Sequence, residues 1–503
     1  GLRDARSIGD SIYKVKEDRI AIDITVEEGN KYYFGDITWL GNNKYSDETL
    51  SEVLGIKKGD VYDAGYLQER LIMDAQGGDV SSLYLNNGYL FFNVNPVEVN
   101  VENDTIDIEM RISEGRQATI DEVTVVGNDR TNDHVILREL RTRPGELFRR
   151  SDIQRSMREL QQLGYFDPQQ LNVNPVPDAE TGTVDIEYSV VERSTSQLQL
   201  QGGWGAGRIV GTLGLNFNNF SARNIFKPEA WQPLPAGDGQ TINIQAQSNG
   251  LFFQSYRASF TEPWLGGKRP NSLTVSVYHN VQNFSGLPSD DPDYSGLRIT
   301  GGTVGLGKRL KWPDDYFTLF VSADIQHYDL VEFPLVGITF SDGNVNNFAL
   351  NFNFGRNSVD YPIYPRKGSL FSLSLEATPP YSLLNNRNYS DLPLTQRFEW
   401  LEYYKWKFNT SWFTEIFPKA VIKTAGEFGF LGAYNEKVGL PPFERFFLGG
   451  DGLQNFVLDG REIIGLRGYP NNSLIPPSLG GQGGALYNKF TMELRYLITE
   501  NPS

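Results

Sequence analysis

The residues whose types and spacing invite chemistry are a cation and a carboxylate near the C-terminal end of the chain. Arg467 stands in Ile464-Gly465-Leu466-Arg467-Gly468-Tyr469-Pro470. There Gly465 and Gly468 let the backbone fold back, and Tyr469 offers a ring to pack beside the guanidinium. Glu493 stands in Phe490-Thr491-Met492-Glu493-Leu494-Arg495-Tyr496, whose alternation puts Met492, Leu494 and Tyr496 on one face and Thr491, Glu493 and Arg495 on the other. The chemistry expected is structural: an ion pair between Arg467 and Glu493 that holds a loop inside a fold. A loop arginine left in solvent and a solvated strand glutamate are the plainer alternative, so the choice rests on the rest of the chain.

Little else in the composition offers a reaction. Cysteine is absent, and His134, His279 and His327 are scattered, which leaves thiol chemistry, zinc ligation and a histidine-based triad without support. No catalytic centre, metal or cofactor is expected. The formal charge of −16 and the lack of a basic stripe argue against nucleic acid as a partner. No apolar run reaches the ~18 residues of a membrane helix, and Gly1-Leu2-Arg3-Asp4-Ala5-Arg6 carries no apolar signal-peptide core. A membrane protein built of strands stays open, because hydropathy barely registers alternating segments.

The elements that must position Arg467 and Glu493 come in two textures. The first is a repeat. Gly41-Asn42 recurs as Gly127-Asn128, Glu28-Gly29 as Glu114-Gly115 and Lys58-Gly59 as Pro144-Gly145, at one common interval. Asn93-Val94-Asn95-Pro96 returns as Asn172-Val173-Asn174-Pro175 at a shorter interval, so the first copy carries extra residues around Gln76 to Tyr84. A closing strand appears three times, at 22–29, 106–115 and 184–193. We therefore expect a C-terminal remnant of a module at 1–28, one module at 29–114 and a last one at 115–193. Each should read strand, helix, helix, strand, strand, with Ser151 capping a helix that buries Ile153, Met157 and Leu160 and ends at Gly164. The free edge of such a small sheet suits β-augmentation by an extended peptide.

After Ser194 period-two alternation takes over. Phe348, Leu350, Phe352 and Phe354 share one face against Asn347, Asn351 and Asn353, and Phe371, Leu373 and Leu375 oppose Ser372, Ser374 and Glu376. From Arg397 to Trp412 the aromatics Phe398, Trp400, Tyr404, Trp406, Phe408 and Trp412 oppose Lys405 and Lys407. Many of these segments exceed the ~5 to 6 residues of sandwich strands and reach the ~10 of a tilted transmembrane strand. The segments predict about twelve strands: 197–205, 208–218, 239–248, 251–261, 272–284, 297–310, 315–328, 346–356, 368–378, 396–413, 419–432 and 484–498. The domain runs over 194–503, with a long inward loop at 433–483.

With tandem modules ahead of such strands, the chain resembles the BamA-type family of outer-membrane β-barrel assembly factors, the superfamily of POTRA modules joined to a bacterial-surface-antigen barrel. The matching stretches are Asp360 to Gly368, Phe443 to Gly450, and Leu466-Arg467-Gly468-Tyr469. The last corresponds to the family's Val-Arg-Gly-Phe/Tyr motif, on a long loop that enters the lumen and whose arginine meets acids on the wall; Glu493 is the matching position. The resemblance implies α+β modules followed by an antiparallel transmembrane barrel, about twelve of whose roughly sixteen strands fall within this chain. It implies an outer-membrane insertase without an enzymatic site. The modules, in the periplasm, would receive unfolded outer-membrane proteins, and the partners would include outer-membrane lipids and accessory lipoproteins. The first strand, carrying Gln197, Leu198, Gln199, Leu200, Gln201, Gly202 and Gly203, would form one side of a lateral gate. The glycines at 202, 203, 205 and 207 should leave that strand weakly paired. The rivals are a polypeptide-translocation or autotransporter-assembly pore of the same superfamily, a passive porin or receptor, which would lack the repeat, and a phospholipase, which would need a Ser-His arrangement.

Overall fold

The computed structural model describes residues 4–16, 19–73, 78–194, 196–205, 208–231, 234–314, 316–333, 340–360, 364–385, 387–417, 419–450, 462–470, 473–475 and 482–498. The chain divides into two compact units, Gly1–Ser194 and Thr195–Ser503. No described helix is long and apolar enough to cross a membrane.

The first unit opens with a hairpin of β1 (Arg6–Lys16) and β2 (Arg19–Glu27). Two copies of one module follow. The first is β3 (Tyr33–Leu40), α1 (Asp47–Leu54), α2 (Ala64–Gln68), α3 (Val80–Leu85), β4 (Asn93–Glu102) and β5 (Thr105–Ser113). The second is β6 (Thr119–Val126), α4 (Asp133–Leu137), α5 (Arg150–Leu163), β7 (Asn172–Asp178) and β8 (Thr183–Ser189). In each, the closing strand is central, parallel to the first strand and antiparallel to the other. The repeated residues now have physical reasons. Gly41 and Gly127 have φ of 89° and 88°, and a Cβ there would run into the carbonyl oxygens of Ile112 and Val190. Asn42 donates to Tyr45 O and Asp47, and Asn128 repeats this with Thr131 O and Asp133, tying each first strand to its first helix. Asp107 accepts the N–H of Asp36 at the bulge of β3 at 2.7 Å, and Asp185 accepts that of Glu122 in the second copy at 3.2 Å.

In the first copy α2 and α3 stand where the second has the single helix α5, and it is α3 that meets the second copy. Its N-cap Asp79 is buried and lies 3.5 Å from Arg150 of the second module, while Leu85, Leu90 and Phe91 pack against the second module's core. Ser151 is not the cap expected of it. The helix starts at Arg150 with Arg149 as N-cap and no capping side chain, because the Ser151 N–H is taken by Asn86 Oδ1 at 2.8 Å. Gly164, at φ 73°, ends the helix as predicted.

The second unit is one twelve-stranded antiparallel sheet. Its strands are β9 (Ser196–Gly205), β10 (Arg208–Phe220), β11 (Gln240–Ser248), β12 (Phe253–Glu262), β13 (Asn271–Asn283), β14 (Gly296–Arg309), β15 (Phe317–Val331), β16 (Gly343–Asn357), β17 (Gly368–Ala377), β18 (Tyr404–Phe417), β19 (Ala420–Gly432) and, after the short β20 (Phe446–Leu448) and β21 (Glu462–Ile464), β22 (Leu486–Tyr496). Each pairs with its neighbours in chain order, and β9 and β22 are the two terminal strands, so the sheet is not closed. The end at which β9 begins is termed proximal and the other distal. Cross-strand register keeps apolar residues in rows on one face, such as Leu306, Val321, Phe352, Leu375, Trp406 and Phe430. One predicted strand is corrected. The stretch 396–413 does not begin as a strand: Leu394–Arg397 is a helical turn, Phe398, Leu401 and Tyr403 are buried, and β18 starts only at Tyr404. The stretch is a connection whose Phe398, Leu401 and Tyr403 enter the distal core while Trp400 stays 42% exposed, and its backbone meets β16 at Asn346 through a parallel bridge to Trp400.

Candidate functional site: an inward loop and a terminal strand

The connection between β19 and β22 folds against the polar face of the sheet. Phe443, Phe446 and Ile464 join a buried cluster with Leu297, Tyr328, Leu431 and Tyr487, and Phe443 stacks on Tyr328 with ring centroids 5.0 Å apart. β20 and β21 pair in parallel, and Phe446 exchanges backbone hydrogen bonds with Gly484. The repeated glycine of Leu448-Gly449-Gly450 is forced: Gly449 has φ 112°, and a Cβ would strike the carbonyl of Pro470.

The electrostatic clasp has the opposite polarity to the one predicted. Lys405, on the wall strand β18, is 4% exposed and lies 3.1 Å from Glu444 and 3.1 Å from Glu462, both loop residues. Lys407 follows at 3.3 Å from Glu462. The Lys405 ammonium also sits 5.0 Å from the Phe446 ring centroid. Arg467 and Glu493 are not brought together. Arg467 is exposed in a turn closed by the Tyr469 N–H on Leu466 O, with Gly468 at φ 84°, and Tyr469 is 49% exposed instead of packed. Glu493 has the inward parity expected, but its oxygens are already engaged. Lys423, its register partner on β19, lies 3.3 Å away, and Arg495, two residues on along the same face, lies 2.6 Å away. The remaining stretches of the predicted inward loop, 451–461, 471–472 and 476–481, lie outside the described residues, as do 361–363 and 206–207.

Sequence reasoning therefore missed Lys405, Lys407, Glu444 and Glu462. A signal existed: two lysines on the polar face of an aromatic strand, and a glutamate inside Phe443-Glu444-Arg445-Phe446.

The terminal strand β9 differs from expectation in one respect. It is not frayed on its inner side, since every residue from Ser196 to Gly205 has a register partner on β10. What it lacks is side-chain packing. Gln197, Leu198, Gln199, Leu200, Gln201, Gly202 and Gly203 are all exposed, Leu198 at 63% and Leu200 at 73%. A Cβ at Gly202 or Gly203 would meet nothing within 4 Å, and one added at Gly214 of β10 would lie 3.2 Å from Gln199 Cβ.

In the modules, the outer edges of β3 and β6 are covered by their own chain. Phe34 and Gly59, and Ile120 and Gly145, are joined by backbone hydrogen bonds. β4 and β7 remain. Pro175 and Pro177 lie in phase along β7, and edge prolines turn their missing donor outward, so β7 cannot template a full strand. β4 has one proline, Pro96, and beside it lies a groove of ≈ 330 Å³ lined by Tyr62, Leu67, Leu71, Ile72 and Glu98.

Among known proteins, the Omp85 superfamily domain matches residues 236–503, and the POTRA surface antigen variable number repeat matches 32–115 and 118–193. The outer membrane protein assembly factor BamA of Neisseria meningitidis is 26% identical over 93% of this chain and 54% of its own length. That of Nitratidesulfovibrio vulgaris is 27% identical over 71% of this chain and 42% of its own. The chain thus spans about half the length of the curated relatives it matches. The crystal structure of BamA from Haemophilus ducreyi lacking POTRA domains 1–3 superposes with a TM-score of 0.57 at 19% identity, covering 92% of this chain and 82% of that one, a likeness of fold.

Proposed function

The chain belongs to the Omp85 superfamily, and on that premise we propose that it is an outer-membrane protein assembly factor that folds and inserts β-barrel proteins without a catalytic centre. POTRA modules in the periplasm receive unfolded outer-membrane proteins, and β4 of the first module is the edge to which an extended segment adds, its side chains entering the neighbouring groove. The sheet spans the outer membrane, in contact with its lipids and served by accessory lipoproteins. β9 is the exchange strand. The observation that carries this reading is that β9 holds its place through the backbone ladder to β10 while its side chains from Gln197 to Gln201 are exposed and Gly202 and Gly203 carry none. Such a strand can accept a new partner without dismantling a core.

The test places photocrosslinkers at Gln199 and Gln201 in the full-length protein in assembling membranes. The expected adducts are terminal strands of other barrel proteins. Adducts confined to this protein's own strands during active assembly would refute the exchange. Depletion supplies the coarser test: many unrelated outer-membrane barrels should be lost together, and loss of a single secreted substrate would favour a translocation pore.

A further inference from the structure

We propose that residues 221–231, the first part of the connection between β10 and β11, form a lipid anchor that seats at the headgroup–acyl boundary of the membrane leaflet at the proximal end; this rests on the reading that the sheet crosses a membrane. Of the proximal connections the one between β10 and β11 is the longest, compared with 263–270, 310–316, 358–367 and 418–419.

Its base is built to be rigid. Asn219, Ser221, Asp238 and Gln240 are all buried, Ser221 completely. Ser221 Oγ donates to Asp238 at 2.7 Å, and Asn219 Oδ1 accepts the Gly239 N–H at 2.9 Å. Gln240 accepts the Ala222 N–H and donates to Glu262, each at 2.7 Å. Four buried polar side chains, so linked, hold the two arms of the connection together.

What this base supports is apolar and exposed. Phe226 is 92% exposed, Trp231 48% and Ile225 37%. The indole is fixed, not loose, because Trp231 Nε1 donates to Ile225 O at 3.0 Å. A phenyl ring left 92% exposed, a few residues from a half-exposed indole and above a base of buried hydrogen bonds, marks a contact surface. The lipid interface fits best. The connection leaves the proximal end of the sheet, where Leu265, Trp312 and Tyr316 in other proximal connections and Ile416 and Phe417 at the end of β18 are also exposed, and aromatic residues gather at membrane boundaries. Exposed Arg223, 4.0 Å from Asp238, and exposed Lys227 flank the patch, cations suited to phosphate headgroups where the rings enter the acyl region. Because the connection joins the second and third strands of the sheet, it fastens to the bilayer the strands that carry β9.

This chain contains no cysteine, so Phe226→Cys and Trp231→Cys each give one labelling site within it for an environment-sensitive fluorophore, in full-length protein with any cysteine outside these residues replaced by serine and reconstituted into phospholipid vesicles. Lys58→Cys, on an exposed side chain of the first module, is the aqueous control. The expected result at 226 and 231 is blue-shifted emission, loss of quenching by iodide, and quenching by lipids carrying a nitroxide near the headgroup. Iodide quenching equal to that of the control at both sites would overturn the proposal. So would protection that appears only after periplasmic extract is added, which would assign the patch to a protein partner.

Discussion

Lys405 supplies the sharpest test of how the inward loop is held. Its ammonium lies 3.1 Å from Glu444 and 3.1 Å from Glu462, at 4% exposure, with Glu444 at 9% and Glu462 at 26%. Removing one partner of a buried pair costs about 3–5 kcal/mol, because the other charge stays buried without compensation. Lys407, 3.3 Å from Glu462, limits the loss at that carboxylate, so the cost falls chiefly on Glu444 and belongs near the lower bound. For Lys405→Met we expect loop docking to weaken by about 3 kcal/mol, roughly a hundred-fold in the opening equilibrium. Hydrogen exchange of the amides of Phe446–Leu448 and Glu462–Ile464, followed in reconstituted protein, reads that equilibrium directly. Pairing Lys405→Met with Glu444→Gln should recover part of the loss, since the orphaned charge is then gone. Arg467→Ala, at an exposed turn, should change protection by no more than about 0.5 kcal/mol. Unchanged protection in Lys405→Met, or an equal loss in Arg467→Ala, would refute the assignment of the clasp to the lysine.

Two further expectations concern the modules. Asp107 is held below the ordinary aspartate range, first by the Asp36 N–H, then by Asn100, with Lys58 contributing. A carboxylate depressed in the folded state stabilises above its unfolded pKa, and that contribution is lost as pH falls through the folded value. The protection of Tyr33–Leu40 in wild type should therefore exceed that of Asp107→Asn at neutral pH and converge with it in acid; a difference independent of pH would count against the carboxylate. Gly127→Ala forces a Cβ onto the Val190 carbonyl at positive φ, and should destabilise the second module by about 2 kcal/mol or more, measured by exchange of Thr183–Ser189.

How much of this was legible in the sequence depended on the range of the interaction. The strands of the large sheet could be read almost one by one, because each carries both its faces in its own residues: Phe348 to Phe354 states the pattern without reference to any partner. The modules were legible because a tight turn needs its glycine locally, as Gly41 and Gly127 do. The reading failed where an element's role depends on a distant one. Phe398 and Trp400 continue an alternation, yet Phe398 belongs to the core formed with the long connection. Glu493 was assigned to Arg467 because the register between β19 and β22, which hands it to Lys423, spans the whole intervening loop. Which of several acids in that loop meets which wall lysine follows from packing of Phe443, Phe446 and Ile464, and no spacing in the chain encodes it.

The strands that bound the twelve-stranded sheet, β9 and β22, are tied to their neighbours unequally, which bears on the exchange proposed for β9. β22 is fixed to β19 by more than its ladder: Lys423 and Glu493 pair across it, Lys489 meets Glu427 at 2.9 Å, and Phe490 packs edge-on against Phe428. Its Tyr487 also enters the buried cluster beside Phe446, so the loop clasp and β22 reinforce each other. Moving β22 would break ion pairs and open a core. Among the described residues β9 carries no charged pair to β10, and its glycines remove side-chain contact at positions 202 and 203. Backbone hydrogen bonds lost from β10 can be remade with an incoming strand at little net cost, whereas buried charge pairs and packed rings cannot. In the proposed exchange, β9 would therefore yield at less cost than a strand tied as β22 is to β19.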